Sequence, residues 1–315
     1  MKRILITGAS GLLGLNLALS AAQDQGAQDS SKYDVYGTVN QRKLNTNEFK
    51  VIQTDLLASG ALDKLLEQTR PDWVINCAAL AELEACEANP EKAWQLNSVL
   101  PQKLASHVAR GGARLVHIST DAVFDGQRGQ YTEEDTPNPL SVYARTKLEG
   151  EWAVADANPN AIIARVNLFG WSMTGLRSLA EFFFNNLSAG NQVMGFTDVY
   201  FCPLLANDMA AILFDMLEKG LRGLYHVVSS ECTSKYDFGV RIARKFGLDE
   251  SLIKPTSIEH AGLGAARSPN LTLRSNKLTH ALGKPTPDLS TAIDHFYTLY
   301  QQGYPQILRS LVDQS

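Results

Sequence analysis

R-I-L-I-T-G-A-S-G-L-L-G, residues 3–14, sets a short run of branched apolar residues directly before glycines at positions 8, 11 and 14. The run reads as a buried strand, and the glycines as the turn that opens the following helix. Glycine serves there in the tight turn, in the close approach of backbone amides to a diphosphate, and in seating the helix on the sheet. The helix N-terminus adds positive potential. A glycine-rich turn occurs in many α/β proteins; its place between a first strand and a first helix is what points to a dinucleotide. Gly8, Ala9, Ser10, Gly11, Leu12, Leu13 and Gly14 are therefore candidate cofactor contacts. The same stretch has the outline of a secretory leader, but Gly8, Ser10, Gly11, Gly14 and Asn16 break its apolar core.

Working outward, a polar segment, 23–32, precedes a second strand at 35–39. An NAD-binding fold usually carries an acid near the C-terminal end of that strand, on the ribose 2′-hydroxyl. Asp34 stands at the wrong end, and the correct end holds Asn40, Gln41, Arg42 and Lys43. A 2′-phosphate pairs with Arg42 or Lys43, so NADP(H) is expected over NAD(H). A third strand, 49–54, leads to Asp55 and Leu56, where adenine is expected, and a fourth, 73–79, ends in the small residues Cys77, Ala78 and Ala79. Strands and helices alternate to about Val166, which predicts a Rossmann-type α/β fold with a doubly wound parallel sheet. Residues 1–166, rejoined by about 204–228, are expected to form the dinucleotide-binding domain; about 167–203 and 229–315 build a smaller C-terminal substrate-binding lobe.

A second informative stretch runs from His117 to Gly150. R-L-V-H-I-S reads as a parallel strand ending at Ser119-Thr120-Asp121, and reactive groups in open parallel sheets lie just beyond such ends. Thr120 also reads simply as a turn cap. Tyr143 and Lys147 lie four positions apart, so one helix face carries both. An ammonium beside a phenol favours the phenolate, bringing its ordinary pKa of about 10 closer to neutrality. Two solvated side chains at helical spacing are the plain alternative.

The chain has 315 residues, 44% hydrophobic and 20% charged, enough for a full core in an ordinary soluble protein. A net charge of -4 argues against a nucleic-acid footprint, and no segment is long and apolar enough for a membrane span. Cys77, Cys86, Cys202 and Cys232 show no zinc spacing and read as reduced thiols of a cytosolic, cytoplasmic protein.

T-G-A-S-G-L-L-G, Asp55-Leu56, N-C-A-A, Asn97, S-T-D and Y-A-R-T-K stand in an order that resembles the extended short-chain dehydrogenase/reductase superfamily. S-T-D-A-V-F-D-G-x-x-G-x-Y and A-R-S-P-N-L-T-L resemble its dTDP-4-dehydrorhamnose reductase branch. The resemblance implies Tyr143 as general acid, Lys147 lowering its pKa and binding the nicotinamide ribose, Thr120 on the substrate oxygen, and Asp121 as a further site member. It also implies Asn97 near the cofactor, Asn167 and Arg267 toward a nucleotide-sugar substrate, and a homodimer as the common assembly. Ala122 stands where the family has an aromatic and Asn167 near its tryptophan, so substrate stacking differs. Ala122 also lacks the acid of the dehydratases. The implied activity is NADPH-dependent reduction of a 4-keto nucleotide-sugar or similar keto-sugar. A non-catalytic regulatory subunit, similar to the β subunit of methionine adenosyltransferase, and a nucleotide-sugar epimerase are the alternatives.

Overall fold

The computed structural model describes residues 1–24, 32–260 and 268–312. Seven parallel strands form the central sheet: β1 (Lys2–Thr7), β2 (Tyr33–Val39), β3 (Lys50–Gln53), β4 (Trp73–Asn76), β5 (Arg114–Thr120), β6 (Ile162–Val166) and β7 (Gly223–Val227). Their order across the sheet is β7-β6-β5-β4-β1-β2-β3, so the winding reverses between β1 and β4. Alternation along β1 shows why both faces are covered. Ile4 and Ile6 enter one core with helix α1 (Leu12–Gln23), whereas Leu5 enters the other with α2 (Ala61–Thr69) and α3 (Leu100–Gly111). Helix α4 (Val142–Ala157) completes this second layer, and Ser141 caps it by accepting from the Ala144 N–H at 3.2 Å. The expected return of 223–228 to the sheet is seen as β7, paired in parallel with β6.

Beyond β6 the chain builds a smaller C-terminal region. Its centre is Trp171, buried, stacked on Phe296 at 4.1 Å and donating Nε1–H to the Phe296 carbonyl at 3.0 Å. Short strands Tyr200–Phe201 and Thr233–Ser234 pair antiparallel with Phe201 opposite Thr233. That register carries Cys202 to Cys232, and the two form a disulfide. The expectation of four reduced thiols is thus corrected; only Cys77 and Cys86 are free. The partners are 30 residues apart and belong to no short motif, so the pairing depends on a register that the sequence pattern did not reveal. Among the described residues no helix is long and apolar enough to cross a membrane.

Behind the carboxyl ends of β5 and β6 lies a buried ion pair. The Arg165 guanidinium grips Glu151 of α4 through Nε at 2.9 Å and Nη2 at 2.7 Å, and the Ser119 hydroxyl donates to the same carboxylate at 2.5 Å. Both charged side chains are nearly inaccessible. Removing one partner from such a pair strands the other charge, so Arg165→Leu should cost about 3–5 kcal/mol of stability, whereas the Glu151→Leu/Arg165→Leu double variant should lose distinctly less. Urea unfolding midpoints of the three proteins measure the difference.

Candidate active site

Gly8 has φ +68, and a Cβ placed on it would lie 2.9 Å from the Ala78 nitrogen. The turn after β1 therefore touches the segment after β4, at the point where the sheet reverses. A Cβ on Gly14 would run into the Gly8 carbonyl, so α1 can seat against the turn only with glycine there. No side chain caps the N-terminus of α1, which leaves its first amides without a side-chain acceptor. A hollow of about 360 Å³ lies over this turn, lined among others by Gly8, Ser10, Gly11, Asn40, Arg42, Asp55, Leu56 and Cys77–Ala79. A larger hollow, about 720 Å³ around Asp34 and Lys50, lies elsewhere and gathers no comparable set of amides and reactive groups. Asp34 itself is tied to Lys50 at 2.8 Å. The cradle fits a dinucleotide phosphate: no side chain caps the amides, and a Cβ is excluded at Gly8 and Gly14.

Adjoining it through Cys77 and Ala79 is a hollow of about 290 Å³ lined by Leu13, Thr120, Asp121, Tyr143, Lys147 and Asn167. One turn of α4 brings Tyr143 and Lys147 to the same wall. Lys147 is buried and donates to the Ile118 carbonyl at 2.5 Å. Burial pulls its pKa down to about 8, against the opposing pull of the Glu151 carboxylate. Tyr143 moves the other way, pushed up to about 12 by burial, although its hydrogen bond with Thr120 acts in the lowering direction. The expected lowering of the phenol by Lys147 is thus corrected. The ammonium is bound to the end of β5, and loss of hydration dominates at the phenol.

Thr120 accepts from the Ala122 N–H at 3.2 Å, which makes it the turn cap the sequence allowed for, and it also joins the site. Its hydroxyl donates to Asp121 at 3.1 Å, and Asn167 Nδ2–H donates to the other Asp121 oxygen at 2.5 Å. Burial pushes the Asp121 carboxyl up to about 6 while these two hydrogen bonds act against it. Tyr143, Thr120, Asp121 and Asn167 thus form one connected chain of polar groups.

Other expected residues occupy different stations. Asn97 is fully buried; its amide holds the Leu80 backbone at 2.9 and 3.0 Å and the Thr146 hydroxyl at 3.1 Å. It lies on a π-helical turn, Gln95–Val99, and a Cβ on Gly150 would collide with its carbonyl. Its side chain therefore fixes the wall after β4 to α4. Arg267 lies outside the described residues. The described part of its motif, from Ser268, folds over the D-G-x-x-G loop: the Asn270 N–H donates to the Gly126 carbonyl at 3.1 Å, and Ser268 donates to the Phe124 carbonyl at 3.1 Å. Gly126 and Gly129 have positive φ and lie against Ser268–Asn270, so the two motifs are one contact. Trp171 is buried in the smaller region. Arg177, which belongs to no sequence motif, also lines the hollow over the glycine turn. Among the described residues, no cluster of His, Cys, Asp or Glu is arranged to hold a metal ion.

The RmlD substrate binding domain model matches residues 1–302. The probable low-salt glycan biosynthesis reductase Agl14 of Haloferax volcanii is 33% identical over 289 residues, 90% of this chain and 93% of that protein. Methionine adenosyltransferase 2 subunit beta of Rattus norvegicus is also 33% identical, over 298 residues, 91% of this chain and 84% of the relative. A solved dTDP-4-dehydrorhamnose reductase of Clostridium acetobutylicum superposes with a TM-score of 0.79 at 29% identity, covering 95% of this chain and 99% of that one. The chain belongs to the RmlD substrate binding domain family, within the extended short-chain dehydrogenase/reductases.

Proposed function

We propose that this chain is an NADPH-dependent reductase of a 4-keto nucleotide-sugar or a similar keto-sugar. The observation that carries the reading is the gathering of Thr120, Asp121, Tyr143, Lys147 and Asn167 around one hollow that adjoins the glycine cradle. The likeness to the reductases supports it.

Gly8 to Gly14 hold the diphosphate through backbone amides, Asn40 and Arg42 hold a 2′-phosphate, and Asp55 and Leu56 face the adenosine. A bound reduced nicotinamide supplies hydride. Tyr143 donates a proton to the carbonyl oxygen as charge gathers there. Its raised pKa keeps the phenol protonated at neutral pH, which is the state a proton donor needs. Lys147 spends one N–H on Ile118 and keeps two, which suit the hydroxyls of a nicotinamide ribose. Thr120 turns its one hydroxyl proton from Asp121 to the same oxygen, while Asp121 is held by Asn167. Bound substrate and cofactor strengthen these contacts by excluding water.

The likeness to the adenosyltransferase β subunit favours a second reading, a cofactor-binding regulatory subunit that uses the same cradle without turnover. NADPH oxidation with a keto-sugar nucleotide supports the first; co-purification with a methionine adenosyltransferase and no turnover supports the second.

Tyr143→Phe should keep the fold and the affinity for NADPH but lower single-turnover NADPH oxidation by roughly 10²- to 10⁴-fold, the usual scale of general acid catalysis. Lys147→Ala should lose at least as much and also weaken NADPH binding. Undiminished turnover in Tyr143→Phe would remove the proposed acid.

The Asp121 carboxyl makes stability depend on pH. Its folded pKa, about 6, lies above the ordinary carboxylate value, so the folded state binds the extra proton and stability falls as pH rises through about 6. Asp121→Asn should therefore be more stable than the parent above that pH and equal to it near pH ~4. Chemical denaturation of both proteins across this range tests the sign.

A further inference from the structure

We propose that Arg177 is a cofactor-phosphate contact, carried into the dinucleotide cleft by a braced loop; this rests on the dinucleotide reading above. The loop Gly170–Ser178 enters from the smaller region and is fixed at both ends. Asn16 of α1 donates to the Trp171 carbonyl at 3.1 Å, and the Ser178 hydroxyl donates to the Gly170 carbonyl at 2.7 Å.

Its interior is held by Glu181, a fully buried carboxylate that accepts from four donors on three loop residues. It accepts from the Ser172 N–H at 2.6 Å, from the Ser172 hydroxyl at 2.8 and 3.0 Å, from the Arg177 N–H at 2.9 Å and from the Ser178 N–H at 3.2 Å. Gly175, at φ +70, backs onto the Arg309 guanidinium, and Asn185 donates to its carbonyl at 2.6 Å. Two residues beyond Arg309, the Leu311 carbonyl accepts from the Asn45 N–H at 2.9 Å, just past the Arg42 segment. The brace therefore joins the loop to the same side of the cleft as the end of β2.

The bound carboxylate orders the Arg177 backbone, and the side chain is left exposed in the phosphate hollow beside Gly8, Ser10, Gly11 and Arg42. Among the described residues Arg177 makes no ion pair, and Asp55 is the one acid lining that hollow. In a chain of net charge -4 such a cation is a local device, and a guanidinium presented across from a glycine cradle matches a phosphate. Two phosphates fit this chemistry, the 2′-phosphate beside Arg42 and the bridging diphosphate above Gly11.

Dissociation constants for NADPH and NADH, measured by calorimetry on the full chain, test the assignment alongside melting temperatures without cofactor. Arg177→Ala should melt like the parent and bind NADPH roughly 10-fold more weakly or worse, as expected for a lost charge-assisted hydrogen bond. Loss confined to NADPH marks the 2′-phosphate; equal loss for NADH marks the diphosphate. Arg177→Lys should recover part of the affinity. Parent-like constants for both cofactors in Arg177→Ala, with Arg42→Ala weakened, overturn the Arg177 assignment and leave the dinucleotide reading standing. A parent protein that binds neither cofactor overturns both.

Discussion

The contact on which the site depends is backbone against backbone, Gly8 on Cys77–Ala78, with Gly14 closing over Gly8. It lies where the sheet reverses, the one place in an open parallel sheet where neighbouring loops diverge and leave a crevice. Had either glycine a side chain, the turn would rise off β4 and the two hollows would separate. Because Ala78 also donates its N–H to Thr7 at 3.2 Å, and Thr7 donates to Asn76 at 2.6 Å, the loop after β4 is registered on β1 before any ligand is considered. The wall opposite is then set by Asn97, which ties Leu80 to Thr146, one residue before Lys147.

Burial governs the electrostatics of that crevice more than pairwise charge does. Lys147, Tyr143 and Asp121 all shift toward their neutral forms, and for each the largest cause is loss of water. The Glu151–Arg165 pair lies behind them as a neutral unit in sum. Its carboxylate pulls on Lys147 from one turn along α4 yet is satisfied by Arg165 and Ser119. A site built this way keeps a protonated phenol and a lysine whose charge is held only weakly, a combination suited to receiving charge rather than storing it.

Much of this was legible in the sequence because it follows from periodicity and from glycine sterics. The strand run at 3–7, the glycines at 8, 11 and 14, and the helical spacing of Tyr143 and Lys147 each have a local physical cause, and the sheet follows from their alternation. What escaped was long-range. The Cys202–Cys232 bond depends on the register of two dipeptide strands, and the Tyr143 shift depends on how much protein covers the ring. Arg177 was invisible because its loop is held by a glutamate that looks, in sequence, like an ordinary capping-box residue.

The same logic accounts for two motifs far apart in the chain. D-G-x-x-G and S-P-N-L-T-L are 142 residues apart between Gln130 and Thr272, yet the Gln130 N–H donates to the Thr272 hydroxyl at 2.7 Å. Tyr131 then exchanges backbone hydrogen bonds with Thr272 and Arg274, at 3.0 and 2.8 Å. Phe124 and Tyr131 stack within the first loop at 4.1 Å, and the Arg165 guanidinium lies 5.0 Å over Phe124. The loop therefore rests on the buried ion pair behind the site, and the C-terminal motif rests on the loop. Neither can shift without disturbing the strand end that carries Thr120 and Asp121. Residues far apart in the chain are bound to a common pattern because they share one packing contact, and that contact is one step of structure away from the proposed chemistry.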